Sequence, residues 1–192
     1  MPNFKTLAEL HQYFEARSTC NLKESAIQAV HGHGNPQASI VFIGEAPGKK
    51  EDATGVPFVG ASGKFLDEML AKANLKREDI YITNIVKYRP PENRDPNLEE
   101  IKSCEDWLHA ELNFIKPKVI VTLGRHSLNH FIPGVKIGEV HGQHFTKNIP
   151  GLGEQTFFAL YHPAAALYNG GMRETLIIDF LKVPELIKQL DR

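Results

Sequence analysis

Ser39-Ile-Val-Phe-Ile-Gly-Glu-Ala-Pro-Gly48 is the stretch on which the fold turns. Its first half is a short apolar run of β-branched and aromatic residues, the composition of a strand covered on both faces. The run stops at Gly44 and a glutamate follows at once; Pro47 and Gly48 then prevent strand or helix from continuing. Such a strand delivers Glu45 to the carboxyl edge of a sheet, where open α/β folds keep their ligands. A lone Gly-Glu step would be a solvated turn. Its companions along the chain make Glu45 a candidate site residue.

Working outward, Thr6-Leu-Ala-Glu9 forms a capping box, and apolar spacing predicts a helix over Thr6 to Ala16. Ile27 to Val30 predicts a short strand. Beyond the central run, a long loop extends from Gly44 to Gly60. A helix starts at Ser62 or Gly63, buries Phe65, Leu66, Met69, Leu70 and Ala73, and stops at Asn74. Ile80 to Val86 is a second apolar strand, interrupted by Asn84. Asp95-Pro96 starts a helix whose buried stripe is Ile101, Cys104, Trp107, Leu108 and Leu112. Val119 to Leu123 is a third strand ending at Gly124, with a short helix over Arg125 to Phe131 behind it. Val140 to Phe145 and Thr156 to Tyr161 predict further strands, and Glu174 to Leu190 a closing helix. Strands alternating with helices require right-handed crossovers. The fold class is therefore α/β: one domain over residues 1–192, a three-layer α/β/α sandwich with a mostly parallel central sheet.

With 192 residues the chain is long enough for one substantial core. Its 22 basic and 23 acidic side chains nearly cancel, which excludes a polybasic coating protein but leaves room for a local basic rim. Lys49, Lys50, Lys64, Lys87, Arg89, Arg94, Arg125 and Arg173 all fall in predicted loops or at their edges. No apolar run is long enough to cross a bilayer, and the N-terminal residues lack the apolar core of a signal peptide. Two distant cysteines make no disulfide framework, so the expected compartment is the cytoplasm.

Glu45, Asn84, Gly124 and His162 all stand at strand ends. An amide in a buried strand needs a hydrogen-bond partner. A carboxamide offers both donor and acceptor, which suits the edge of an amide-like heterocycle. Pro163-Ala-Ala-Ala after His162 fixes a turn and permits close approach of another surface. Phe58, in the loop beyond Glu45, is either a core plug or one wall of a flat pocket. Gly55-Val-Pro-Phe-Val-Gly-Ala-Ser62 nearly matches a phosphate-binding loop but has Ala61 where that motif requires lysine. Triphosphate hydrolysis is not expected, although Ser62 at a helix start suits a DNA phosphate.

Taken in order, Gly44-Glu-Ala-Pro-Gly48, Pro57-Phe-Val-Gly60, Thr83-Asn84, Arg89-Pro-Pro91, Asn93-Arg-Asp-Pro96, Val119-Ile-Val-Thr-Leu-Gly124 and His162-Pro-Ala164 resemble family 4 uracil-DNA glycosylases. Each motif is weak alone; the ordered set, from about Cys20 to Val183, is specific. The resemblance implies a compact α/β/α domain that removes uracil from deaminated DNA. It implies Glu45 as the glutamate beside the attacking water and His162 as the histidine near the base carbonyl. Phe58 is then the stacking aromatic and Asn84 the reader of the uracil edge, with Gly44 and Ala46 also lining the base pocket. The turn Pro163 to Asn169 corresponds to the segment entering the duplex, with Leu167 as wedge and Tyr168 as its alternative. DNA contacts are expected from Ser62, Lys64, Arg89, Arg125, Pro163 and Arg173.

The chain departs from that family at its cofactor. Family 4 enzymes usually hold an iron–sulfur cluster with four cysteines. Cys20 and Cys104 match the second and fourth ligands, but Arg17 and Tyr88 stand at the other two. No cluster, and no other metal, is expected. A covalent uracil-trapping relative carries a basic insert ending in histidine after the second strand; Lys87 to Asp95 has no histidine, so no covalent adduct is expected. The implied enzyme is a monomeric, monofunctional glycosylase acting on single- or double-stranded DNA that contains uracil or another deaminated base, with no membrane partner. The rival readings are a glycosylase for another base such as hypoxanthine, a non-catalytic uracil-DNA-binding module and, last, a small-molecule nucleosidase.

Overall fold

A computed structural model describes residues 2–191. Four parallel strands form the centre of a six-stranded sheet: β2 (Ile40–Gly44), β3 (Tyr81–Asn84), β4 (Val119–Leu123) and β6 (Gly153–Leu160). Antiparallel edge strands β1 (His33–Gly34) and β5 (His144–Ile149) complete the order β1-β3-β2-β4-β6-β5. β2 lies between β3 and β4, so connections leave it in both directions and open a crevice at its carboxyl end. Every residue of β2, β3 and β4 is buried, because helices cover both faces.

Side-chain alternation divides the core into two layers. Val41, Ile43, Tyr81, Ile120 and Phe157 face α1 (Leu7–Arg17) and α4 (Leu98–Ile115). Phe42, Ile82, Val121, Phe158 and Leu160 face α3 (Ala61–Lys72) and α8 (Met172–Leu190). The remaining helices are short: α2 (Lys49–Thr54), α5 (Arg125–Phe131), α6 (Ile137–Val140) and α7 (Ala165–Tyr168). Among the described residues, no helix is long and apolar enough to cross a membrane.

Thr6 caps α1, its hydroxyl accepting from the Glu9 amide. α4 starts two residues beyond the predicted Asp95-Pro96, because Asn97 and Glu100 form a reciprocal capping box that the sequence reading passed over. Three other expectations need correction. Ile27 to Val30 is not a strand: the Ile27 amide donates to the Asp52 carboxylate and the Val30 amide to the Lys87 carbonyl, with no ladder. The fifth strand begins at His144 rather than Val140, which ends α6; Gly142 turns the chain between them at φ 71°. The loop after Glu45 holds α2, whose Lys-Lys-Glu-Asp run carries no apolar period.

Candidate active site

Strand register brings the candidate residues together. Gly44 pairs with Asn84 across β2 and β3, and Leu123 pairs with Leu160 across β4 and β6. The carboxyl ends of all four parallel strands therefore open onto one edge. Glu45 follows the first, Asn84 ends the second, Gly124 follows the third and His162 lies two residues past the last. A cleft of about 610 Å³ stands there, lined by Glu45, Ala46, Phe58, Asn84 and His162, with Leu167 and Tyr168 at its mouth.

Phe58 is buried and sits at φ 55°, a left-handed conformation unusual for an aromatic residue. Its neighbours hold it there. The Glu51 carboxylate accepts from the amides of Val59 (2.9 Å) and Gly60 (2.7 Å), while the Arg77 guanidinium donates to the carbonyls of Pro57 and Phe58. Gly63 leaves room beneath, since a Cβ there would lie 1.8 Å from the Phe58 carbonyl oxygen. The Phe58 ring lies 5.8 Å from the His162 ring, centroid to centroid. Gly44 closes the floor: a Cβ on it would lie 2.4 Å from Asn84 Oδ1 and 2.6 Å from Phe58 Cζ.

Asn84 is 2 % exposed and its Oδ1 accepts no hydrogen bond among the described residues. A buried carbonyl oxygen left so costs free energy unless a ligand supplies a donor. The backbone of Asn84 is held from behind. The Lys87 ammonium donates to the Asn84 carbonyl (3.0 Å), to Thr83 Oγ1 (2.6 Å) and to the Glu111 carboxylate (2.7 Å). Glu111 also meets His11 and the Tyr81 hydroxyl, and both Lys87 and Glu111 are fully buried. Burial would raise the Glu111 carboxyl, but the Lys87 charge and the His11 contact hold it at about 2.

The two candidate catalytic groups are shifted in opposite senses. Burial, reinforced by the Asp95 charge and only partly offset by Arg125, raises Glu45 to about 7. Burial and the nearby His126 lower His162 to about 4, so its imidazole is neutral at pH 7. Its Nδ1 accepts from the Ala164 amide at 3.1 Å, which leaves the proton on Nε2 as a donor. Gly124 makes room for it: at φ 91°, a Cβ there would come 2.9 Å from His162 Cβ.

Sequence reasoning missed His126, Asp95 and Glu51. His126 Nδ1 lies 3.8 Å from Glu45 Oε1, and its Nε2 lies 3.2 Å from Asp95. The available signal was nearness to a strand end, since His126 stands two residues past Gly124 as His162 stands two past Leu160. Lys49 and Lys50 line the cleft, as does Ser62. Lys64, Arg89, Arg125, Pro163 and Arg173 are not part of its lining. Arg89 donates to Asn93, Arg125 to Asp95 and His126, and Arg173 pairs with Glu68 over the Phe65 ring.

The residues at the cluster-like positions do not supply four thiolates. Cys20 and Cys104 are free and buried, and the hydrogen bond between them together with burial pushes the Cys104 thiol up. Tyr88, 1 % exposed, packs in the same core cluster. Arg17 lies over the Tyr13 ring at 4.0 Å. A phenol and a guanidinium do not replace thiolate ligands of iron.

The profile of the Uracil DNA glycosylase superfamily matches residues 31–183. The type-4 uracil-DNA glycosylase of Saccharolobus solfataricus is 46 % identical over 174 residues, covering 88 % of this chain and 80 % of that protein. That of Archaeoglobus fulgidus is 47 % identical over 173 residues, covering 87 % and 86 %. That of Thermotoga maritima is 39 % identical over 176 residues, covering 90 % of each.

Proposed function

The chain belongs to the Uracil DNA glycosylase superfamily, and from that premise we propose how its residues hydrolyse the N-glycosidic bond of uracil in DNA to leave an abasic site. The observation that carries the proposal is the buried, unpartnered Asn84 Oδ1 beside Phe58. Uracil presents an N–H donor on the edge where cytosine presents a bare nitrogen acceptor. Uracil supplies what Asn84 Oδ1 lacks, and cytosine leaves two acceptors facing each other.

The base first leaves the stack, at a cost of a few kcal/mol that is lowest in single strands and mispairs. Phe58 stacks on it; Gly44 and Ala46 complete the pocket. As the glycosidic bond breaks, electrons pass to the base and positive charge grows on the sugar. His162 Nε2–H donates to the base oxygen on which negative charge develops, and a neutral donor there leaves the leaving base anionic. Ionised Glu45 orients or deprotonates water and offsets the sugar charge. The residues assigned to the base and the water, Glu45, Phe58, Asn84 and His162, include no lysine to form a Schiff base, so the proposed reaction stops at the abasic site. Leu167 and Tyr168, 48 % and 92 % exposed on a one-turn helix, suit a wedge filling the space the base leaves. Lys49, Lys50 and Ser62 suit phosphate contacts beside the cleft, and the enzyme acts as a monomer without an iron–sulfur cluster.

The test uses matched oligonucleotides carrying uracil, hypoxanthine, xanthine, or thymine opposite guanine, scored by strand scission in alkali. Uracil should be released fastest. Binding to uracil-DNA without release of any base would make the chain a binding module. Faster release of hypoxanthine would reassign the substrate.

A further inference from the structure

We propose that Glu105, His109 and His130 form a binding site for a zinc-like transition-metal dication that ties α4 to α5. Glu105 and His109 stand four residues apart on α4 and therefore share one face. His130 reaches them from the last turn of α5. Their donor atoms all lie within 4.8 Å of one another. Tetrahedral zinc with bonds of about 2.0–2.1 Å separates its ligand atoms by about 3.4 Å, a closure that small side-chain rotations supply. All three side chains are half-buried, and the His130 ring is set against the edge of Phe131 at 4.7 Å.

The neighbouring polar groups are engaged elsewhere: the Asn113 amide donates to the Gly151 carbonyl and the Lys147 ammonium to the Phe131 carbonyl. Among the described residues, no hydrogen bond or ion pair occupies the three donors. Two imidazoles and one carboxylate suit zinc and its transition-metal neighbours, whereas calcium and magnesium prefer oxygen alone. Three protein ligands leave a fourth position for water.

A second trio, Glu45, Asp95 and His126, also brings donor atoms within 4.8 Å. There the Arg125 guanidinium already donates to His126 and Asp95, so a cation stands where a metal would have to enter. The first trio carries no such competitor. Its consequence for the enzyme is mechanical. α5 has only seven residues and no side-chain cap, and its first turn carries His126 beside Glu45. A metal at His130 would fix the far end of that helix against α4.

The experiment titrates metal-stripped protein with zinc chloride by calorimetry and repeats the titration with His109→Ala/His130→Ala. The expected result is one zinc per wild-type chain. Losing two direct ligands should weaken binding at least about a hundredfold, since even the loss of outer-shell partners costs about 10–100-fold. Zinc should raise the melting temperature of the wild type and not of the double variant. Glu105→Gln, isosteric and partly exposed, supplies a second test and should weaken binding by at least about tenfold. Cobalt in place of zinc should show ligand-field bands without thiolate charge transfer. Absence of stoichiometric binding, binding that survives in the folded double variant, or a thiolate band marking Cys20 and Cys104 would each overturn the proposal.

Discussion

Glu45, at about 7, and His162, at about 4, carry protonation states that would make the proposed chemistry pH-dependent in one direction. Between those values His162 is already neutral and only Glu45 titrates. Single-turnover release of uracil should therefore rise with pH through about 7 and then level, and Glu45→Gln should abolish that rise while slowing release by about 10²–10⁴-fold. A flat wild-type profile would remove Glu45 from the reaction. Stability runs the other way. Because the folded protein raises Glu45, its contribution is present below about 4.5 and is lost as pH rises through about 7. At Asn84 the expected outcome of Asn84→Asp is weaker discrimination of uracil from cytosine, measured as the ratio of release rates. Unchanged selectivity in a folded variant would return Asn84 to a structural role. Gly44→Ala places a methyl 2.4 Å from Asn84 Oδ1 and 2.6 Å from Phe58 Cζ, so it should impair uracil release by at least about tenfold through the pocket floor. Glu45, Asn84 and His162 were legible as candidates because each breaks its local pattern: a carboxylate closing an apolar strand, an amide inside one, a histidine before proline. His126 breaks no such pattern beyond standing near a strand end, and the strand register brings it to Glu45.

Elements position those groups through contacts that no local period announces. Glu51 sits in Lys49-Lys-Glu-Asp52, a run with the appearance of solvated charge, yet its carboxylate shapes the Phe58 loop. Lys87 and Glu111 are 24 residues apart and join β3 to α4 at the back of the sheet. Removing one member of a buried pair strands the other charge, so Lys87→Met should cost about 3–5 kcal/mol in urea denaturation. Lys87→Met/Glu111→Leu should lose less than the two single changes together, because no isolated charge remains. Additive losses would mean that the two side chains do not act as a pair. The single Lys87 change should also slow uracil release, since its ammonium holds the Asn84 carbonyl. The same pair makes acid costly: Glu111 is held at about 2, so its contribution is complete above about 4.5 and is lost as pH falls toward 2.

Across the whole molecule, the four central strands were legible from their apolar runs, although Asn84 interrupts the second and the polar first half of β6 lay largely outside the predicted Thr156 to Tyr161; their alternation with helices pointed to the parallel sheet. The antiparallel edges were not, because β1 has two residues and β5 alternates exposed and half-buried positions with polar side chains. The core cluster that holds Cys20 and Cys104 also holds Tyr88 and Trp107. Tyr88 is fully buried there, within 6.5 Å of the Trp107 ring, centroid to centroid, and in the cluster that contains both cysteines. If that aromatic packing takes the place of a cluster, protein purified without oxygen should be colourless and lack stoichiometric iron. Tyr88→Ala should then cost about 3–5 kcal/mol, as for other large buried aromatic residues, and iron with sulfide should not restore the loss. The link to catalysis runs through position: Tyr88 adjoins Lys87, which adjoins the backbone of Asn84. Loosening Tyr88 should therefore depress uracil release more than it depresses binding to undamaged DNA, which phosphate contacts dominate. Recovery of an iron–sulfur cluster bound to the wild-type chain would defeat this account, since Tyr88 would have to leave its core position to admit it.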